Sequence, residues 1–269
     1  MIVALVSRKG GVGKTTSAVS LSAALAGRGC RVLLVDLDSQ CSASFSLGVP
    51  RRELAPSSAD LLLRNQPAPA LVRATPVAGL DLITASVDLM AADVELSRSS
   101  GFSHRLRAGL EAVRERYDFV FLDCPPSLSV IPQSALVAAD AFLVPVVPQF
   151  LAVEGVQNLL EAAERLAYRA GGFAPQPLGI VLTMVDYRTR ATRENVDLVR
   201  SRFGELVFAV EIRINVRLAE APSHGQPIRS YDPSSTGARA YDLLAEELLF
   251  RAADLQAPRA PMAAREGAL

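Results

Sequence analysis

The chain has 269 residues, of which 50% are hydrophobic and 21% are charged, and this composition is typical of a globular protein rather than a disordered one. The basic and acidic residues number 28 each, so the formal net charge is zero and any contact with nucleic acid must come from a local patch. No apolar run reaches about 18 residues and no signal-peptide pattern begins the chain. We therefore expect a cytoplasmic protein without a membrane partner.

Short apolar runs alternate along the chain with longer segments of helical period, which is the pattern of βαβ units and a mainly parallel sheet. The predicted strands are residues 2–7, 31–36, 80–85, 118–123, 141–147, 178–185 and 206–210. The predicted helices are residues 14–28, 104–116, 153–170 and 238–253. Several strands are apolar on both faces, which predicts a mostly parallel, twisted sheet with helices on both faces.

Two segments do not follow this alternation. Residues 51–79 are rich in Pro, Ala and Ser, and we expect an irregular excursion with one short helix near residues 59–64. Residues 255–269 are rich in Pro and Ala and predict a disordered tail after a single domain of residues 1–254. The chain's three cysteines form no Cys-x-x-Cys pair, so we expect buried, reduced thiols.

A glycine-rich segment, SRKGGVGKTT at residues 7–16, lies between the first predicted strand and the first predicted helix. Phosphate-binding loops have the spacing Gly-x-x-x-x-Gly-Lys-Ser/Thr, and here Gly13, Lys14 and Thr15 match while Arg8 replaces the first glycine. In such loops the lysine reaches the β- and γ-phosphates and the hydroxyl binds Mg²⁺. The predicted nucleotide-binding residues of this segment are Lys9, Gly10, Gly11, Val12, Gly13, Lys14, Thr15 and Thr16. The alternative is a glycine-rich turn with incidental lysines.

Lys9 and Lys14 are the only lysines of the chain, because every other basic residue is an arginine. A lysine ammonium is a compact charge with three donors on a flexible stem, whereas a guanidinium is a planar fork. Their presence in one loop indicates that both sites require a point-like cation beside charged oxygens.

Carboxylates follow two of the predicted strands. Asp123 ends the run DFVFLD, where a carboxylate at the C-terminal end of a strand can hold the magnesium shell. Asp36 and Asp38 end the strand RVLLVD, and alternate residues on an extended segment point the same way. The sequence therefore predicts a metal site that includes Thr15 and Asp123 and that Asp36 and Asp38 can face, although Asp123 alone would also fit a strand cap.

Five segments together resemble the ParA/Soj family of partition ATPases, which belongs to the same deviant-Walker group as MinD. They are KGGVGKTT, VLLVDLDSQ, FVFLDCPPS, ALVAADAFLVPV and NVRLAEAPSHGQPIRSYDPSSTGARAY. The resemblance extends over about residues 1–250. The resemblance implies a P-loop NTPase-like α/β fold, binding of ATP or ADP with Mg²⁺, and slow, partner-stimulated ATP hydrolysis. It also implies an ATP-bound homodimer, non-specific binding to double-stranded DNA on the nucleoid, and a ParB-like centromere-binding partner.

The resemblance also implies a role for each motif residue. Lys14 serves the subunit's own nucleotide, while Lys9 reaches the phosphates of the nucleotide in the partner subunit. Asp38 orients the attacking water. The residues implied to be catalytic are therefore Lys9, Lys14 and Asp38. Asp36 supports the magnesium region, and Asp123 is the Walker B aspartate.

Three further residues take their predicted roles from the resemblance. Asn215 is expected to read adenine, and Arg188 and Arg217 are expected to bind DNA without sequence preference. The alternative for the two arginines is a solvated, mixed-charge surface. No helix-turn-helix domain precedes the first strand, which argues against recognition of a specific operator.

The chain departs from the family pattern at four places. Ser39 replaces a usual proline, Cys41-Ser42 replace Gly-Asn, Gln149 replaces a common glutamate, and residues 213–214 replace Pro-Arg. The changes after Asp38 keep open a nucleotide-dependent binding switch with little hydrolysis.

Two further alternatives come from relatives of the same loop. A MinD-like membrane ATPase would need a bulky amphipathic tail, and QAPRAPMAAREGAL has no apolar stripe. A nitrogenase-iron-protein type of redox protein would need paired cysteines to bridge a cluster, and Cys124 has no evident second cysteine.

Overall fold

The computed structural model describes residues 1–98, 102–169 and 175–257. Within these residues seven strands form one sheet: β1 (Ile2–Leu5), β2 (Val32–Asp36), β3 (Arg73–Ala74), β4 (Leu80–Ile83), β5 (Phe119–Asp123), β6 (Ala141–Val146) and β7 (Gln176–Leu182). The order across the sheet is β3-β4-β2-β5-β1-β6-β7. Only the β3–β4 pair is antiparallel. The predicted α/β fold with a mostly parallel sheet is confirmed.

The connections between strands are mainly helical. The helices are α1 (Lys14–Ala26), α2 (Ser42–Ser46), α3 (Ser58–Arg64), α4 (Leu89–Ser97), α5 (Phe102–Arg114), α6 (Val130–Ala138), α7 (Ala152–Arg169), α8 (Arg190–Phe203), α9 (Val216–Glu220), α10 (Ile228–Tyr231) and α11 (Thr236–Gln256). The predicted helices therefore occur with ends shifted by about two residues, as is usual for boundaries read from sequence.

The sheet separates two hydrophobic cores. Alternate residues of β1 face opposite sides, so Ile2 and Ala4 join one core while Val3 and Leu5 join the other. The first core is closed by α3 to α8 and the second mainly by α1 and α11. This arrangement explains why the strand sequences are apolar on both faces, since neither face is left to solvent.

Residues 51–79 form the predicted excursion, with one short α-helix, α3. Helix α3 begins after Ser57, whose hydroxyl accepts a hydrogen bond from the N–H of Ala59 at 3.3 Å. The carboxylate of Asp60 accepts in return from the N–H of Ser57 at 2.7 Å, which completes a capping box. The two-residue strand β3 was not predicted, because so short a segment carries no periodic signal.

The prediction of a strand at residues 206–210 is wrong. The N–H groups of Ala209 and Val210 donate to the carboxylate of Glu247 on α11, at 2.8 and 3.0 Å, and not to a neighbouring strand. Only single bridges remain, from Ile180 to Val207 and from Val185 to Arg213. A side chain from a distant helix has replaced the backbone partner that a sheet would supply.

The last helix of the described residues is longer than predicted. Helix α11 continues to Gln256, two residues into the segment that the sequence predicts to be a tail. The rest of that predicted tail, beyond residue 257, lies outside the described residues.

Gly179 in β7 gives a direct test of the packing at the end of the sheet. A Cβ at this position would lie 2.5 Å from the Phe208 ring and 2.7 Å from the carbonyl oxygen of Leu206. We expect Gly179→Ala to lower the free energy of unfolding by about 1–3 kcal/mol, measured by urea denaturation. Gly155→Ala is the matched control, because Gly155 is exposed on α7 and its added Cβ meets no atom within 4 Å. Equal stability of the two variants would contradict the packing described for Gly179.

Candidate functional site

The candidate site lies at the C-terminal edge of the sheet, where the loops after the central strands meet. Strand β1 lies between β5 and β6, and Asp123 of β5 is in register with both Leu5 and Asp36. In open parallel sheets the chain reverses its order of strands at such a point, and the loops that diverge there leave a crevice for ligands. The glycine-rich loop, residues 7–13, follows β1 directly into this crevice.

The glycine-rich loop has a backbone conformation that residues with a side chain rarely adopt. Gly11 and Gly13 have φ angles of +72° and +78°, in the left-handed region that glycine adopts without steric cost. The hydroxyl of Thr183, after β7, donates to the carbonyl of Val12 at 2.9 Å and fixes the loop against the sheet. Gly13 provides no side-chain cap for α1. The positive end of α1 therefore faces the loop without a competing protein group, as in phosphate sites.

The two lysines occupy different environments. The Lys14 side chain is buried, with a relative exposure of 7%, and its charge acts on Asp123. Lys9 is exposed on the outer rim of the loop, where its Nζ donates to Oε1 of Gln149 at 2.5 Å. The fold thus places one ammonium inside the crevice and the other on the surface beside it.

Asp123 is a buried carboxylate without a hydrogen-bond partner. Its two oxygens accept no hydrogen bond among the described residues, although the residue is fully buried. Burial raises the pKa of Asp123, and the neighbouring Asp36 raises it further, while Thr15 and Lys14 oppose the rise. A buried carboxylate without hydrogen bonds is costly, and a metal cation beside it would help to neutralise its charge and to keep it ionised.

The residues around Asp123 fit a magnesium ion held jointly with a nucleotide. The part of the chain that the structure describes contains no group of three or more His, Cys, Asp or Glu side chains placed to hold a metal alone. Magnesium commonly keeps several waters and takes only one or two carboxylates, with phosphate oxygens supplying the rest. Thr15 and Asp123 are therefore the side chains that would hold it here.

Asp36 organises the loop that follows β2. Its Oδ2 accepts from both the N–H and the hydroxyl of Ser44, at 2.9 and 2.7 Å, and its Oδ1 accepts from the N–H of Asp38 at 3.2 Å. Burial raises the pKa of Asp36, whereas the hydrogen bonds from Ser44 oppose that rise. Ser44 Oγ also accepts from the N–H of Ala85 at 3.1 Å. The carboxylate predicted to support the metal region is thus also a structural anchor for residues 38–44.

Asp38 lies in a tight turn at the mouth of the crevice. Its Oδ1 accepts from the N–H of Gln40 at 3.0 Å, and its carbonyl accepts from the N–H of Cys41 at 2.8 Å. Cys41 has φ +57°, an unusual angle for a residue with a side chain. The side chain of Asp38 is half-buried, so one part of the carboxylate is fixed by the turn while the residue still reaches solvent.

A cavity adjoins the glycine-rich loop. Its volume is about 390 Å³, within the range of small-molecule sites, and its wall includes Gly13, Thr16, Met184 and Asn215. Asn215 caps α9, because its Oδ1 accepts from the N–H of Leu218 at 3.3 Å. The structure therefore places the residue predicted to read adenine at a cavity of suitable size, directly beside the phosphate loop.

The two arginines predicted to bind DNA are exposed but paired with carboxylates. Arg188 contacts both oxygens of Asp186, at 2.8 and 2.6 Å, and this pairing lowers the pKa of Asp186 to about 2. Arg217 contacts Glu220 at 2.8 Å and Asp232 at 3.4 Å. Any phosphate that binds either arginine must therefore compete with a carboxylate already in place.

Several contributors to the site were not predicted from the sequence. They are Ser44, which anchors Asp36, Thr183, which holds the loop, and Tyr241, whose hydroxyl contacts Ser17 Oγ of α1 at 3.0 Å. Each acts through a partner far away in the chain or in a different element. Thr183 was the easiest of the three to predict from the sequence, because a polar residue immediately after an apolar parallel strand lies at the ligand-binding edge.

The three cysteines are free thiols; Cys41 and Cys124 are buried as expected, whereas Cys30 is only partly buried. Cys124 is fully buried and its pKa is raised first by burial and then by Asp123. Cys41 is also buried, and burial raises its pKa to about 11.

A phosphate loop, a buried lysine, an unpartnered carboxylate and a base-sized cavity at the switch point of a parallel sheet define the class of P-loop nucleotide-binding α/β proteins. Residues 1–171 match the family model described as an AAA domain.

Comparison of the sequence with those of known proteins identifies the family within this class. The chain is 41% identical over 263 residues to the chromosome partitioning protein ParA of Caulobacter vibrioides, covering 96% of this chain and 97% of that protein. It is 46% identical over 252 residues to the chromosome-partitioning ATPase Soj of Thermus thermophilus, covering 93% and 95%. This chain belongs to the ParA/Soj family of partition ATPases.

A solved structure shares the fold over nearly the whole length. Cobyrinic acid a,c-diamide synthase from Mycobacterium smegmatis, with bound ATP analogue and magnesium, is 33% identical, with a TM-score of 0.78. The match covers 92% of this chain and 93% of that one. Among the described residues, no helix has the length and apolar character needed to cross a membrane.

Proposed function

We propose that this chain binds ATP with Mg²⁺, pairs with a second copy in the ATP-bound state, and hydrolyses ATP slowly to separate the pair. The observation that carries the proposal is the separation of the two lysines, one buried in the crevice and one exposed at its rim. A lysine that served only the subunit's own nucleotide would not need to be presented to solvent. The exposed position of Lys9 suits contact with a charged group on another molecule.

Within one subunit, each side chain of the crevice has a distinct task. Lys14 neutralises phosphate charge from inside the crevice, and Thr15 and Asp123 hold the cation. Magnesium, when bound, would neutralise charge on the phosphate oxygens. Asp38, fixed by its turn, accepts a hydrogen bond from the attacking water and orients it. Asn215 contributes to the wall against which the adenine lies.

Across a pair of subunits facing each other through their crevices, Lys9 of each would contact the phosphates bound by the other. Pairing then depends on the γ-phosphate, because ATP offers a charged group that ADP lacks. Hydrolysis removes this group and weakens the pair. The chain would therefore act as a switch between a paired and an unpaired state.

We infer the cargo from the relatives, which are named as chromosome-partitioning proteins. The paired state would bind double-stranded DNA on the nucleoid without sequence preference, and a ParB-like centromere-binding protein would stimulate hydrolysis. Sedimentation velocity with ATP and Mg²⁺, compared with ADP, tests the first step. A monomer at every nucleotide and protein concentration would contradict the proposal.

The DNA-binding step is tested by the arginines and by one carboxylate beside them. We expect Arg188→Ala or Arg217→Ala to reduce binding to all duplexes equally and to lower the slope of log affinity against log salt by about two, because each pair loses two phosphate contacts. Asp186→Asn should instead tighten binding, since it frees Arg188. Fluorescence anisotropy with unrelated duplexes at several salt concentrations measures both effects.

Arg52→Ala is the matched control, because Arg52 is also exposed and paired with a carboxylate but lies in the segment after β2. It should leave DNA binding unchanged. Normal binding by the double variant Arg188→Ala, Arg217→Ala would remove both residues from the interface. Co-sedimentation with anionic liposomes in ATP would support the MinD-like alternative instead.

A further inference from the structure

Gln149 lies in a turn whose backbone is fixed on both sides. The turn joins β6 to α7, and the N–H of Gln149 donates to the carbonyl of Val147 at 2.8 Å. The carbonyl of Gln149 accepts from the N–H of Ala152 at 2.9 Å, and Leu151 has φ +70°. A side chain carried by such a turn starts from a well-defined position.

The side-chain amide of Gln149 accepts a hydrogen bond from the exposed Lys9. Lys9 Nζ donates to Gln149 Oε1, and the two residues, although 140 positions apart in sequence, line one cavity of about 240 Å³. No carboxylate of the described residues lies within ion-pair distance of Lys9. The ammonium is therefore held by a neutral acceptor alone.

We propose that Gln149 is a positioning residue that holds Lys9 in the unpaired subunit and releases it when two ATP-bound subunits meet. This inference rests on the proposed function, in which Lys9 contacts the nucleotide of the partner subunit. The lysine cannot donate its full set of hydrogen bonds to a partner's phosphates while it retains the contact with Gln149. The strength of that contact thus sets how easily pairing occurs.

The chemistry of residue 149 determines this strength. A hydrogen bond from an ammonium to a carboxylate is roughly twice as strong as one to a neutral amide. A glutamate at this position would hold Lys9 more tightly. The amide of Gln149 binds Lys9 only weakly, so pairing should occur at lower ATP and protein concentrations than it would with a carboxylate at this position.

The test compares Gln149→Glu with Gln149→Met in a non-hydrolysable ATP analogue with Mg²⁺, by sedimentation equilibrium. Exposed ion pairs suggest that Gln149→Glu will strengthen the hold about two- to five-fold in each subunit, and so raise the dimer dissociation constant about four- to twenty-five-fold. Gln149→Met keeps the length of the side chain without the acceptor, and should lower that constant. The effect of glutamate, unlike that of methionine, should shrink as salt is added.

A second measurement tests the contact between Lys9 and Gln149 directly and does not require two subunits to pair. Lys9 and Lys14 are the only lysines, so a ¹³C-lysine NMR spectrum of the nucleotide-free protein reports these two side chains alone. The signal that disappears in Lys9→Ala belongs to Lys9, and it should move in both Gln149 variants while the Lys14 signal stays in place. Gln176→Glu is the matched control, because it adds the same charge at the opposite, N-terminal edge of the sheet.

The outcomes separate this inference from the proposed function. An unshifted Lys9 signal in Gln149→Met would overturn the contact, and a shifted signal with unchanged pairing in both variants would overturn its regulatory role. If Lys9→Ala itself pairs normally in the ATP analogue, the trans role of Lys9 fails instead, whatever the Gln149 variants show.

Discussion

Replacing Lys14 by alanine will abolish ATP binding, whereas replacing Lys9 by alanine will leave ATP binding by the monomer intact and remove ATP-driven pairing. Lys14 is buried beside Asp123, so its loss removes a desolvated charge from the phosphate site and leaves the carboxylates uncompensated. Loss of one partner from a buried charge contact suggests a drop in affinity of about 100-fold or more. Lys9 is exposed, and its ammonium contacts Gln149 on the surface beside the crevice. Titration with a fluorescent ATP analogue and sedimentation velocity measure the two properties separately.

Two control variants sharpen this comparison. Arg8→Ala removes a positive charge from the neighbouring exposed position and should leave both ATP binding and pairing unchanged. Lys9→Arg keeps the charge but replaces a compact ammonium by a planar fork, and we expect pairing to fail. If Lys9→Ala and Lys14→Ala lose ATP affinity equally, the assignment of Lys9 to the partner's nucleotide is wrong.

The fold was predictable where local sequence and tertiary environment agree. The central strands are apolar on both faces because helices cover both faces, and this leaves a signal in β1, β2, β4, β5 and β6. Residues 206–210 carry the same signal, yet the carboxylate of Glu247 accepts from the N–H groups of Ala209 and Val210. The competing acceptor lies on α11, far along the chain, and apolar periodicity contains no information about it.

The site was predictable in its motif residues and not in its supporting contacts. A phosphate loop needs glycine at positions with positive φ, and the requirement at Gly11 and Gly13 is visible as residue type and spacing. The contact of Lys9 with Gln149 joins two loops that only the folded sheet brings together. The same holds for Ser44, whose double contact with Asp36 depends on how the turn after β2 folds back.

The two aspartates after β2 differ in kind, and the difference determines how each can be tested. Asp36 is fully buried and accepts three hydrogen bonds from its own loop. Its removal would leave the donors of Ser44 unsatisfied and disturb the whole turn. Asp38 is half-buried and accepts one described hydrogen bond through its side chain, from Gln40. Asp38 is therefore the residue whose substitution can change chemistry without dismantling the loop.

We expect Asp38→Ala to bind ATP and pair normally but to hydrolyse ATP at least about 100-fold more slowly, because a positioned group that accepts from water contributes rate factors of this size. The paired state should then persist, with a dissociation rate limited by nucleotide release. Phosphate release in single-turnover conditions and the lifetime of the pair after dilution measure the two effects. Asp38→Asn is the matched control for the turn, since its amide oxygen can still accept from the N–H of Gln40 while it lacks the carboxylate charge. If both variants turn over ATP at the wild-type rate, water is oriented by another group, and Asp38 serves only the turn in which it lies.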